Sequence, residues 1–296
     1  MVTSLSELRN NKSAFDAKLL QEVEKISNPD SREDDRFWQP EVDKAGNGYA
    51  VIRFLPQPKG EEMPWVRIWN HSFKGPTGKW YIENSLTTLG KPDPVSELNS
   101  ELWNSGLESD KDTVREQKRR LVYISNILVI EDPAHPENNG QIKLYRYGKK
   151  IFDKIKDVMQ PEFPGEVPMN PFDFDKGANF KLKIRKVEGY RNYDKSEFDS
   201  PNPLTTDDAQ LEAIWSKEHS LNQFLDAKHF KSYDELKRHL DTVLGGGYKA
   251  GGGNKAPARA ESVSIESPSV ADVPQSEPSL DDGDTASYFA NLANDD

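Results

Sequence analysis

Two stretches decide the reading of this chain: Lys118-Arg119-Arg120-Leu121-Val122-Tyr123 and Lys143-Leu144-Tyr145-Arg146-Tyr147-Gly148-Lys149-Lys150. Each sets basic residues among large apolar or aromatic ones on a segment expected to be a strand. On such a strand Tyr145 and Tyr147 share one face and Arg146 takes the other. Paired rings beside cations suit a single-stranded polynucleotide, because stacking is worth roughly 1–3 kcal/mol per base without regard to sequence while the cations follow the phosphates. Ordinary half-buried strand aromatics give the same pattern, and so does the third alternating run, Lys181-Leu182-Lys183-Ile184-Arg185-Lys186.

Outward from these runs, strand-type segments bounded by turn residues are expected at Tyr49 to Leu55, Trp65 to Phe73, Lys79 to Glu83, Leu121 to Ile130, Ile142 to Tyr147 and Asn179 to Val187. Five or six strands with long insertions fit a small barrel. Lys149 to Gln160 presents Ile151, Phe152, Ile155, Val158 and Met159 on one stripe and predicts an amphipathic helix; residues 84 to 117 read as an irregular or partly helical insertion. Ser232 and Glu235 have the spacing of a capping box, opening a helix with Leu236, Leu240, Val243 and Leu244 on one face and Gly245 at its end. The class is therefore mainly β with helices (α+β). Three regions follow: a helical arm over 1–36, a folded core over 37–247, and a Gly-rich linker with an acidic disordered tail over 248–296.

Charge supports that division. The chain of 296 residues carries a formal net charge of −11, which by itself counts against nucleic acid. From Gly251 to Asp296, however, nine acids face only Lys255 and Arg259, a net of −7, whereas Lys118 to Lys156 holds nine bases against Glu131, Asp132, Glu137 and Asp153, a net of +5. A basic working surface with an acidic appendage is implied. No cysteine is present, which excludes disulfides, thiolate zinc sites and cysteine nucleophiles. No leader-like start and no run of about 18 apolar residues is seen, so a soluble cytoplasmic protein is expected. Gly245 to Lys255 lacks the Gly-Lys-Ser/Thr ending of a phosphate loop, and His135, His219, His229 and His239 lack metal-ligand spacing. Asp34-Asp35 and Asp207-Asp208 leave a metal-dependent nuclease as one alternative, and an RNA-binding translational regulator is another.

Ala50-Val51-Ile52-Arg53-Phe54-Leu55-Pro56, Asn70-His71, Phe73-Lys74, Gly78-Lys79-Trp80-Tyr81-Ile82-Glu83, Asn126-Ile127-Leu128-Val129, Tyr145 to Ile151, Gly177-Ala178-Asn179-Phe180 and Phe230-Lys231-Ser232 follow one another in an order that resembles the single-stranded DNA-binding, helix-destabilising protein family of T-even-type bacteriophages. The resemblance spans about residues 40 to 245. It implies an OB-type barrel core with helical and loop subdomains, no enzymatic activity, and cooperative, sequence-independent single-stranded DNA binding in replication, recombination and repair in the cytoplasm of an infected bacterial host. The stacking candidates are Tyr81, Tyr123, Tyr145 and Tyr147. The backbone candidates are Arg53, Lys118, Arg119, Arg120, Arg146, Lys149, Lys150 and Lys183. The family's arm, which supports contact between neighbouring copies on DNA, corresponds weakly to Arg9-Asn10-Asn11-Lys12-Ser13, making Arg9 and Lys12 the self-association candidates. Tyr288, Phe289 and Leu292, flanked by acids, are the anchors through which the tail is expected to dock phage replication and recombination proteins, after competing with DNA for the groove. The family typically holds zinc with one histidine and three cysteines. His71 matches the histidine, but the loop Asn84 to Pro94 contains no thiolate, so no cofactor is expected and His71 is read as a hydrogen-bonded structural residue.

Overall fold

A computed structural model describes residues 34–246. The arm candidates Arg9 and Lys12 and the tail anchors Tyr288, Phe289 and Leu292 lie outside these residues, as do nearly all of the 1–36 and 248–296 regions. Within them the architecture is α+β around one sheet-rich core. Nine strands are present: β1 (Phe37–Trp38), β2 (Gly48–Phe54), β3 (Val66–Lys74), β4 (Trp80–Asn84), β5 (Arg120–Glu131), β6 (Ile142–Gly148), β7 (Phe180–Val187), β8 (Tyr190–Asn192) and β9 (Glu197–Phe198). Five helices join them: α1 (Pro94–Asn104), α2 (Glu108–Gln117), α3 (Lys149–Met159), α4 (Asp208–Trp215) and α5 (Tyr233–Leu244).

The long strand β5 organises the sheet. Along one side it pairs β6 antiparallel from Val122 to Leu128. Its other side is divided: residues Arg120 to Ile124 pair β3, and residues Ile127 to Glu131 pair β2. β2 continues to β7, and β7 to β8 and β9, while β3 carries β4 as an antiparallel hairpin. The closed barrel expected from the strand count is not formed among the described residues. The outer edge of β6 is taken by β1, and β7 turns back on β8 and β9, so no ladder joins the two ends of this open, branched sheet.

Because side chains alternate, residues opposite one another in register share a face. One face of the β2–β5–β6–β7 region is closed by α3, whose Ile151 and Ile155 are buried against Phe54, Tyr123, Tyr147 and Phe180. The β3–β4 hairpin is closed separately, by Leu236, Leu240, Val243 and Leu244 of α5 with Val95 of α1. The α5 capping box forms as its sequence requires, with Glu235 N–H donating to Ser232 Oγ, and Gly245 ends the helix at φ 84°. The segment 84–117, read as irregular or partly helical, holds two α-helices. Asp93 caps the first, accepting from Val95 N–H and Ser96 N–H, and Pro94 occupies its first position.

Candidate nucleic-acid interface

The three tyrosines named on β5 and β6 meet in one row. Tyr145 stacks on Tyr147 at 5.4 Å, Tyr147 on Tyr123 at 5.7 Å, and Tyr123 lies flat on Phe152 of α3 at 3.9 Å between ring centroids. Trp38 packs edge-on against Tyr145 at 5.5 Å. Tyr81 is apart from them in the hairpin core, sandwiched between Phe73 at 5.2 Å and His239 at 4.9 Å. All four rings are buried, with exposures of 0% to 5%. Desolvation pushes the Tyr81, Tyr145 and Tyr147 hydroxyls up from their ordinary range. In this state the expected open stacking platform is instead core: alternation puts Tyr145 and Tyr147 on one face as read, but that face is the one α3 and Trp38 cover.

The cations divide more informatively. Arg53 is fully buried, and its Nη2 donates to the carbonyls of Asp173 (3.0 Å), Phe174 (3.3 Å) and Asn202 (3.0 Å). It serves the fold, pinning the 171–177 loop onto β2; Gly177 beneath it has no room for a Cβ, which would stand 2.4 Å from the Asp173 carbonyl. Lys183 pairs with Glu197 at 2.7 Å and Lys149 with Asp153 at 2.6 Å. Lys150 borders a cavity of about 40 Å³ with Tyr145, Arg191 and Tyr193. Lys118, Arg119, Arg120 and Arg146 have no carboxylate partner among the described residues, and neither does Arg67 on β3.

Register sorts these cations between two faces. Arg67 stands opposite Tyr123 and Trp69 opposite Leu121, so these four share the face of the tyrosine row, and Arg119 joins them with its guanidinium 4.3 Å from the centre of the Trp69 ring. Arg120 stands opposite Asn70 and Arg146 opposite Ile124, on the reverse face. There Arg146 lines a cleft of about 550 Å³ with Asn70, Val122, Lys228 and Lys231. On the first face, the α3-covered core closes one end and the α5-covered hairpin core the other. Between them remains a strip made by exposed Arg67 and Arg119 and half-buried Trp69 and Leu121, and exposed Lys118 precedes Arg119 in the chain. Sequence reasoning missed Arg67 and Trp69. Their two-residue spacing was the available signal, but only the β3–β5 register shows that Arg119 meets them.

Residues 46–244 match the family described as gp32 DNA binding protein like. The chain belongs to that family. The single-stranded DNA-binding proteins of Enterobacteria phage T2 and Enterobacteria phage T4 are each 38% identical to it over 238 residues, 79% of this chain and 78% of the relative. A single-stranded DNA-binding protein of Escherichia phage SV14 is 47% identical over 79 residues, 25% of this chain and 69% of the relative. The gp32-like family is one of DNA-binding proteins, not of enzymes. No described helix is long and apolar enough to cross a membrane.

In this gp32-like chain the histidine that the resemblance assigns to zinc is differently occupied. His71 is buried, its Nδ1 2.9 Å from the Gln117 carbonyl and its Nε2 3.4 Å from Asp93 Oδ1. The buried Asp93 carboxylate is itself engaged, accepting from Ser85 Oγ at 2.9 Å and from the N–H groups of Leu86, Val95 and Ser96 at 3.1 Å. Burial raises the Asp93 carboxyl, but the His71 contact and these donors outweigh it and hold the group at about 2. No three side chains of metal-ligating type converge among the described residues. This donor set does not fit a tetrahedral structural zinc.

Proposed function

We propose that this protein binds single-stranded DNA without regard to sequence, along the strip between the α3-covered core and the hairpin core. The observation that carries the reading is that Arg67 and Arg119 stand there beside a half-buried indole, without carboxylate partners among the described residues, in a chain whose relatives are named single-stranded DNA-binding proteins. Cations not already neutralised can exchange counterions for phosphates, and Trp69 offers one ring on which a base can stack. The buried tyrosine row stiffens the floor. We read β2, β3, β5, β6 and β7 as an OB-type arrangement left open at its ends. Cooperative coating through the arm, recruitment of phage replication, recombination and repair proteins by the acidic tail, and action in the cytoplasm of the infected host complete the proposal on the strength of family resemblance and tail composition.

The test is salt-dependent binding to a fluorescent homopolymeric single strand, with duplex of equal length as comparator. Preferential single-strand binding is expected, with a log–log salt slope of about −0.7 per phosphate contacted, so roughly −3 for four or five contacts. Equal affinity for the duplex, or an affinity independent of salt, would overturn the reading.

A further inference from the structure

The His71 ring is held between two acceptors, and one of them is the main-chain carbonyl of Gln117, the residue immediately before Lys118-Arg119-Arg120. Asn99 Nδ2 donates to the same carbonyl at 3.3 Å. Both ring nitrogens face oxygen, Nδ1 at hydrogen-bond distance from the Gln117 carbonyl and Nε2 3.4 Å from the Asp93 carboxylate. Asp93 is fixed in turn by Ser85 and by the first turn of α1. A chain of polar contacts thus runs from the N-terminus of α1 through Asp93 and His71 to the carbonyl just before the basic run. We propose that His71 and Asp93 are positioning residues for the DNA-binding strip: a metal-free clasp that fixes the entry of β5 so that Arg119 lies over Trp69. The inference rests on the strip being the DNA-binding surface.

The geometry separates two conservative variants. The amide nitrogen of Asn falls near the position of the imidazole Nδ1, and that of Gln near Nε2. His71→Asn therefore keeps the bond to Gln117, and His71→Gln keeps only the contact to Asp93. Single-strand affinity is expected to stay within about twofold of the parent in His71→Asn and to fall about tenfold in His71→Gln, the effect of one lost positioning hydrogen bond, while both variants melt at similar temperatures. In an Arg67→Ala/Arg119→Ala background His71→Gln is expected to cost no further affinity, because the group it positions is gone. Equal losses in the Asn and Gln variants, or additive losses in that background, overturn the clasp. An Arg67→Ala/Arg119→Ala protein that binds like the parent overturns the strip assignment itself. The parent supplies a test that needs no variant: a chelator is expected to leave its melting temperature and affinity unchanged, and a loss restored by zinc overturns the metal-free clasp.

Discussion

Two basic rows look alike in sequence and differ in what surrounds them. On β7, Lys181, Lys183 and Arg185 alternate with apolar residues and each meets its own acid from the following segment, Asp199, Glu197 and Asp194 respectively. At the entry of β5, Lys118, Arg119 and Arg120 meet none among the described residues. The β7 row, on a strand paired along both sides, carries internally neutralised charge. The β5 row leaves its charge open to a ligand. Whether a basic run can bind phosphate is therefore decided by the acids that fold back onto it, and these come from segments that local periodicity does not connect.

The largest effect that would break this contrast is expected in the Arg67→Ala/Arg119→Ala protein. Removing two phosphate contacts should flatten the single-strand salt slope by about 1.4 and lower affinity at low salt, by roughly tenfold or more. Lys181→Ala/Lys183→Ala should leave the slope near the parent's. Equal changes in the two proteins, read by fluorescence titration at several salt concentrations, would erase the distinction between the rows.

A smaller effect in the opposite direction sharpens it. Asp194→Asn/Glu197→Gln strips the β7 row of two partners and should create new electrostatic attraction, steepening the salt slope and raising affinity by a few-fold at low salt. An unchanged slope would mean that freeing these cations is not enough and that their place on β7 keeps them from DNA.

Next in size is the difference between adjacent residues. Arg119 and Arg120 face opposite sides of the sheet, so Arg119→Ala should lower affinity more than Arg120→Ala, by about threefold to tenfold. The reverse order would move the interface to the cleft lined by Arg146 and Lys228.

A fourth prediction concerns stability away from both rows and should leave single-strand affinity untouched. The Glu218 carboxylate oxygens are buried with no hydrogen-bond partner among the described residues, and desolvation, helped by nearby Glu61, raises the group to about 8. A carboxyl raised on folding binds a proton in the native state that the unfolded chain releases near pH 4.5. Its contribution is thus fully present below that value and is lost as pH rises toward 8. Glu218→Gln should therefore stabilise the protein more at pH 8.5 than at pH 5, by an amount of the order of a few kcal/mol, read by chemical denaturation at the two pH values. A gain that is equal at both would show that the carboxyl does not change its ionisation on folding.

The sequence made much of the fold legible. The strands containing Tyr123, Tyr145 and Tyr147 form where alternation places them, the α3 stripe buries Ile151 and Ile155, and the Ser232–Glu235 cap and Gly245 bound α5. These are local signals with fixed periods, and they survive folding. The two-residue β1 and the short β8 and β9 were not legible, because such lengths carry no period to detect. Side-chain accessibility was the main loss at the candidate site. Alternation reports that two rings share a face; it cannot report that α3 and Trp38 will cover that face, or that Arg53 will find three carbonyls from residues more than a hundred positions away. His71 shows the mixed case. Its structural role was readable from the missing thiolates, but its contact with the start of the basic run depends on where α1 and α2 place Gln117.

The division of β5 between β3 and β2 carries a consequence for how the molecule comes apart. Its first residues belong to the ladder that supports the hairpin core, and its last residues to the ladder of the α3-covered core. Neither half can melt without fraying a strand that the other half needs. Two lobes joined by a loop would each have their own transition; two lobes sharing one strand are expected to unfold together, in a single heat-absorption peak whose calorimetric and van't Hoff enthalpies agree.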